Sequence, residues 1–482
     1  MMTPLAFFVE HLSQAPFPFF HFPLQFTFLF VILTMPAHHF TTVHDSSELT
    51  ALIATHRPDW QVCFLNNNHR PVIGICPAVS WTANFMDGLY IHKKTRQNGH
   101  RTYPSTYADW QNELMAYGKD FDCPTKKDEY THGFMGFIGY DLSAHQLNPS
   151  IGIKKNQPCA YLGHYDVYLK KSETGFDLIG IDVDQELFNI IKDDVASLLK
   201  EDLAPPTPFC FIPTWQKQDY QTAFDQVQKY IKAGDTYQIN LTQKWQAGST
   251  HLASHLPKLY KTMNAPFSGY LYLTNFELLS VSPELFFEFY QEKNHTHLIA
   301  KPIKGTRPRH DKPSLDAQLK NELATSEKDI SENLMIVDLL RNDLGKYANI
   351  GTVKTPKRFA IESFKNVHHM VSTVTAQLNH THALAVLFGS LPAGSITGTP
   401  KKRACEIINE LETSPRGAYC GTLGYLNFDE SGIWNVLIRT LQKSDECELW
   451  AGGGITIKSD SDSEYQECMD KVGQILQSVS QP

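Results

Sequence analysis

Apolar residues recur at helical spacing at Tyr220, Phe224, Val227 and Ile231, and Gly234-Asp235 supplies a stop, which predicts a helix there. From Thr236 to Gln243 polar and apolar side chains alternate, which predicts a strand with one polar face. A longer helical pattern runs from about 315 to 340 through Leu319, Leu323, Ile330, Leu334 and Val337, with Gly345 as its carboxyl-terminal cap. Residues 419–428 and 433–441 read as strands joined by the hairpin signal Asp429-Glu430-Ser431-Gly432, and a last helix carries Glu464, Tyr465, Cys468, Val472 and Ile475. Upstream, from about 41 to 199, short strand-like runs such as 62–65 and 72–75 alternate with turns. Helices mixed with antiparallel strands predict either an α+β fold or a large α/β fold, a two-layer β-sandwich with surrounding helices.

Pro205, Pro206 and Pro208 interrupt the pattern and place a boundary near 205. The expected organisation is an amino-terminal α/β region at 35–205 and a catalytic region at 206–482, packed as one sandwich. Residues 17–35 form an aromatic-rich apolar run broken by Pro18, His21, Pro23 and Gln25, with no basic leader. That suits neither a secretory signal nor a spanning helix of ~20 apolar residues. Met35 is therefore the expected start, with 1–34 a non-native or disordered extension; the rival reading is a weak membrane-interface anchor. The net charge of 43 minus 51, or -8, argues against nucleic acid as the main partner. Nine scattered cysteines without a Cys-x-x-Cys pair suit a reducing cytosol rather than a zinc ribbon or a disulfide framework.

Several clusters hold side chains suited to chemistry. Lys304 sits in Pro302-Ile303-Lys304-Gly305-Thr306-Arg307-Pro308-Arg309, expected as a loop after a strand ending at Ala300. Neighbouring cations would ease loss of its proton and make it a nucleophile, although a solvated lysine is the simpler local reading. Asp329 with Glu332, and Glu464 with Glu467, are i,i+3 pairs on predicted helices. If the two helices face each other, four carboxylates could hold a hard divalent cation; taken singly, each pair reads as a solvated helix face. Gly394 to Lys401 leads into a helix whose free N–H groups suit an anion. Arg439, within an apolar run, needs either a structural acid or a ligand carboxylate. Gly452-Gly453-Gly454 offers bare backbone or a bulge, and Ser282-Pro283-Glu284 puts an acid at a strand end, where partial burial would raise its pKa.

In order along the chain, these segments resemble the chorismate-utilising enzyme family. Ser282-Pro283-Glu284, Pro302-Ile303-Lys304-Gly305-Thr306 and the run from Glu332 to Leu339 carry the resemblance, together with His368-His369-Met370-Val371-Ser372 and Gly394-Ser395-Ile396-Thr397-Gly398. Tyr419-Cys420-Gly421-Thr422-Leu423-Gly424-Tyr425 and Gly452-Gly453-Gly454-Ile455 complete it, so that it covers 236–476 and the stretch 133–142. It implies a large sandwich with the active site between its layers. It also implies Mg²⁺ at Asp329, Glu332, Glu464 and Glu467, with Glu332 and Glu467 the direct ligands and the ring carboxylate of chorismate sharing the ion. Tyr419, Arg439 and Gly454 would bind the enolpyruvyl carboxylate, and Gly305 and Thr306 would line the substrate. His369 would stand beside the C4 hydroxyl, and Glu284 would be the general acid that protonates it.

Two positions choose among family members. Anthranilate-forming enzymes carry alanine where this chain has Lys304. In the members that aminate C4, that lysine adds at C2 as the hydroxyl leaves, and ammonia then attacks C4 and expels it. Water-adding members keep a lysine base where this chain has Gln238, a neutral amide unable to serve as one. The resemblance thus implies 4-amino-4-deoxychorismate formation, a step toward p-aminobenzoate and folate. It further implies a separate glutamine amidotransferase subunit as ammonia source, a cytoplasmic setting, and no membrane or nucleic-acid partner. The rivals are an anthranilate synthase component and, more remotely, a non-catalytic anion-binding regulatory subunit.

Overall fold

The computed structural model describes residues 35–481 except 98, 122, 124–128, 249 and 365–366. The extension expected at 1–34 lies outside the described residues. Two sheets of twelve strands each, with every strand pair antiparallel, form the body of the fold. Strands from both sides of residue 205 enter both sheets: Leu65 pairs with Gly269 in the first, and Gly136 with Gly424 in the second. Cys63, Leu65, Leu271 and Leu278 of the first sheet and Met135, Phe137, Leu423 and Tyr425 of the second form one buried apolar cluster. This is the sandwich that the alternating patterns predict. Among the described residues no helix is long and apolar enough to cross a membrane, and the cysteines form no disulfide.

The elements that carry the site are seven strands and three helices. The strands are β1 (Gln238–Ala247), β2 (Phe276–Ser282), β3 (Leu285–Glu292), β4 (Ile303–Pro308), β5 (Val367–Gln377), β6 (Thr440–Lys443) and β7 (Cys447–Ile455). The helices are α1 (Glu327–Gly345), α2 (Lys401–Leu411) and α3 (Ser461–Val479).

Three expectations change. The helix expected over 315–340 is two helices, Pro313–Thr325 and α1, because the Ser326 side chain accepts the Asp329 N–H and caps a new start. Lys304 lies not in a loop but in β4, whose pairing with β5 slips register between Ile303 and Thr306 around Gly305. The strand expected over 433–441 is broken. Gly432–Asn435 belongs to the second sheet and β6 to the first, and residues 436–439 carry the chain across.

A second crossing runs alongside that one. β2 pairs with β6 in the first sheet, whereas β3 pairs with Gly432–Asn435 in the second. Pro283, between β2 and β3, has no N–H to continue a ladder. The Val436 N–H donates to the Glu284 carbonyl at 3.1 Å, and the Val281 N–H to that of Arg439, also at 3.1 Å. Glu284 and Arg439 therefore sit on adjacent crossings between the layers.

Candidate active site

Glu284 is buried where β2 hands over to β3. Burial pushes its carboxyl up to about 7, against the opposing influence of Lys304, the Ser395 hydroxyl and the Ile303 N–H. It is thus half protonated near neutrality, as a proton donor there needs to be. Lys304 Nζ donates to the Ser395 carbonyl at 3.0 Å. Ser395 lies on a strap whose 398–399 segment pairs with β1 at Gln238 and Ile239. The Gly394 to Lys401 segment therefore presents a carbonyl to Lys304. Lys401, the first residue of α2, pairs with Asp343 at 2.6 Å.

Gly305 has φ +85, and a Cβ there would stand 2.8 Å from both Asp329 Cγ and Leu323 Cδ1. A side chain at 305 would meet α1 in a backbone conformation that L residues seldom adopt. The Thr306 hydroxyl and His369 Nδ1, on paired strands, lie 2.8 Å apart. Burial, with Arg439 nearby, pulls His369 down to about 4, so its ring is neutral at pH 7. Arg439 has φ +52 at its crossing. Burial alone acts on its guanidinium and lowers its pKa; no carboxylate offsets that cost among the described residues. An incoming carboxylate would supply the missing charge.

The two acidic pairs meet across the cleft. Asp329 pairs with Arg307 at 3.3 Å, Glu464 with Lys328 at 2.8 Å and Glu467 with Lys471 at 2.6 Å. Glu332 has only Lys328 at 4.0 Å, and its Oε1 is buried without a hydrogen-bond partner. Burial pushes Glu332 up to about 7; Lys304 and Lys328 oppose that shift and Glu464 and Asp329 add to it. Burial also raises Glu467, but Lys471, Lys328 and Lys304 outweigh it and hold the carboxyl below its usual range.

Among the described residues no three His, Cys, Asp or Glu side chains converge tightly enough to hold an ion as they stand. The donors nonetheless fit Mg²⁺ in kind. They are hard carboxylate oxygens with an orphaned buried atom on Glu332, and they carry negative charge that the local cations leave in excess there.

Glycine shapes the floor. A Cβ on Gly453 would come 2.9 Å from Glu464 Oε2, and one on Gly454 would come 2.6 Å from Gln238 Nε2. Gln238 is fully buried, and neither polar atom of its side chain has a hydrogen-bond partner among the described residues. Tyr419 is buried with its ring parallel to Trp450 at 6.0 Å and facing Arg416 at 6.0 Å.

Sequence reasoning missed four participants. Ser395 joins Lys304 to Glu284, Lys328 bridges the acidic helices, and Lys471 donates to the Gly452 carbonyl at 2.8 Å. Arg416, buried on Glu412 at 2.6 Å, ties down the Ile396 and Asn240 carbonyls beneath the strap. The i,i+4 spacing of Lys328 with Glu332, Glu467 with Lys471 and Glu412 with Arg416 was the available signal.

A family model described as "chorismate binding enzyme" matches residues 87–477. The chain is 40% identical over 360 residues to aminodeoxychorismate synthase component 1 of Salmonella typhimurium, spanning 71% of this chain and 76% of that one. It is 35% identical over 271 residues to anthranilate synthase component 1 1 of Haloarcula marismortui, spanning 55% of this chain and 54% of that one. The crystal structure of anthranilate synthase component I from Streptococcus pneumoniae superposes with a TM-score of 0.69 at 24% identity, over 84% of this chain and 91% of that one.

Proposed function

The chain belongs to the chorismate-binding enzyme family, and from that premise we propose that it aminates chorismate at C4, giving 4-amino-4-deoxychorismate. The observation that carries this reading is Lys304, an amine tethered to Ser395 beside the raised carboxyl of Glu284. The greater identity and coverage with an aminodeoxychorismate synthase component than with an anthranilate synthase component supports the same choice.

In this mechanism the enolpyruvyl carboxylate pairs with Arg439, whose guanidinium is desolvated without an acid to offset it. Glu332 and Glu467, with Asp329 and Glu464 behind them, would hold Mg²⁺. The ion would supply positive charge that fixes the ring carboxylate. The Lys304 side-chain nitrogen attacks C2. Both conjugated ring double bonds shift, and the C4–O bond breaks as Glu284 delivers a proton, so that water departs. Neutral His369, held by Thr306, orients the C4 hydroxyl without competing for that proton. Ammonia then attacks C4, both double bonds shift back, and Lys304 leaves C2 with its electron pair. Splitting one hard displacement into two allylic steps also keeps the new amine on C4. The Gln238 amide serves as a hydrogen-bonding group for substrate, not as a base.

The ammonia source is a separate glutamine amidotransferase subunit, in keeping with the "component 1" name of the Salmonella relative. Incubation with chorismate, MgCl₂ and ammonium chloride, followed by chromatography, tests the reading. A product that yields p-aminobenzoate only after a lyase is added supports it. Direct appearance of anthranilate refutes it.

A further inference from the structure

Three cations, Arg307, Lys328 and Lys471, pair with the four acids, and Lys328 serves two helices. Lys328 reaches from the first turn of α1 to Glu464 on α3 at 2.8 Å, with Glu332 at 4.0 Å. Glu464 is fully enclosed, also accepts the Ser459 hydroxyl at 2.7 Å, and abuts the bare backbone of Gly453. An enclosed carboxylate cannot be left alone, and Lys328 is the ammonium that compensates it. Glu332, by contrast, keeps an unpartnered buried oxygen.

We propose that Lys328 is a built-in occupant of the divalent-cation site. Its ammonium bridges Glu464 and Glu332 in the metal-free enzyme, and Mg²⁺ enters by displacing it. This rests on the metal reading above and adds a competitor to it. The site gives up an ion pair each time it loads. Lys328 is a positioning residue, since it sets where the ligand carboxylates stand without touching substrate. Its half-buried stem lets the head swing toward solvent once released.

Calorimetric titration of the full chain with MgCl₂, without chorismate, tests this apart from catalysis, with thermal melts run in parallel. Lys328→Met removes the competitor and is expected to bind Mg²⁺ about two- to fivefold tighter, the scale of one partly exposed ion pair. Its metal-free form should melt below wild type, with saturating Mg²⁺ closing the gap. Lys328→Arg places a planar fork between the same two acids and is expected to bind Mg²⁺ more weakly than wild type. Unchanged or weaker binding by Lys328→Met, or unchanged binding by Lys328→Arg, overturns the displacement while leaving the metal site standing. Failure of wild type and both variants to bind Mg²⁺ overturns the metal reading and this inference together.

Discussion

Lys304 and Glu284 meet at Ser395: its carbonyl takes the Lys304 ammonium at 3.0 Å, and its hydroxyl bears on the Glu284 carboxyl. Ninety-one residues separate Lys304 from Ser395 in sequence. The strap that carries Ser395 pairs with β1, so the sheet fixes the distance between an amine and an acid of suitable proton affinity. The amine is half-buried, held on the Ser395 carbonyl.

Glu284→Gln should lower kcat by ~10²–10⁴, the usual worth of a positioned proton donor. It also has a signature in stability. Burial pushes the Glu284 carboxyl up to about 7 in the fold, against an ordinary 4.5. Between those values the unfolded chain releases this proton while the fold retains it, so this group's contribution falls as pH rises from 4.5 toward 7. Relative to wild type, Glu284→Gln should therefore gain stability from pH 5 to pH 8, by at most ~3 kcal/mol. Parallel melts at the two pH values check this; equal differences would mean that the carboxyl is not perturbed.

Arg439→Ala should act mainly on KM for chorismate, raising it about 10–100-fold, because a charged hydrogen bond is lost from ground and transition state alike. Steady-state kinetics with ammonium as donor measure this. An unchanged KM would leave Arg439 a purely structural cation.

Gly305→Ala forces a Cβ against Asp329 and Leu323 at φ +85. A loss of ~1–3 kcal/mol is expected, read as a lower melting temperature. Because the clash pushes on Asp329 and on the backbone beside Lys304, activity should fall further than stability explains. A variant with wild-type melting and turnover would show that β4 can move away from α1.

Local patterns made much of this legible. The helix expected after 220 is Lys217–Ala233, closed by Gly234 at φ +85, and the polar-faced strand is β1. The raised acid after Ser282-Pro283 followed from its place at a strand end. The parts that differed depend on partners far away in sequence. Residues 436–439 look like strand because they are apolar, but their hydrogen bonds go to 281, 284 and 420–421 as the chain changes sheets. Arg439 consequently stands on a crossing, where its side chain can face the cleft. The link from Lys328 to the last helix was hidden for a related reason. The sequence neighbours of Lys328 suggest a solvated helix start, and only the approach of α3 brings Glu464 to it.

The most direct measurement is the product distribution of Lys304→Ala with chorismate, Mg²⁺ and ammonium, separated by chromatography. The covalent route predicts loss of most 4-amino-4-deoxychorismate, with any residual turnover appearing as anthranilate. Full retention of the para-amino product at the wild-type rate would contradict it.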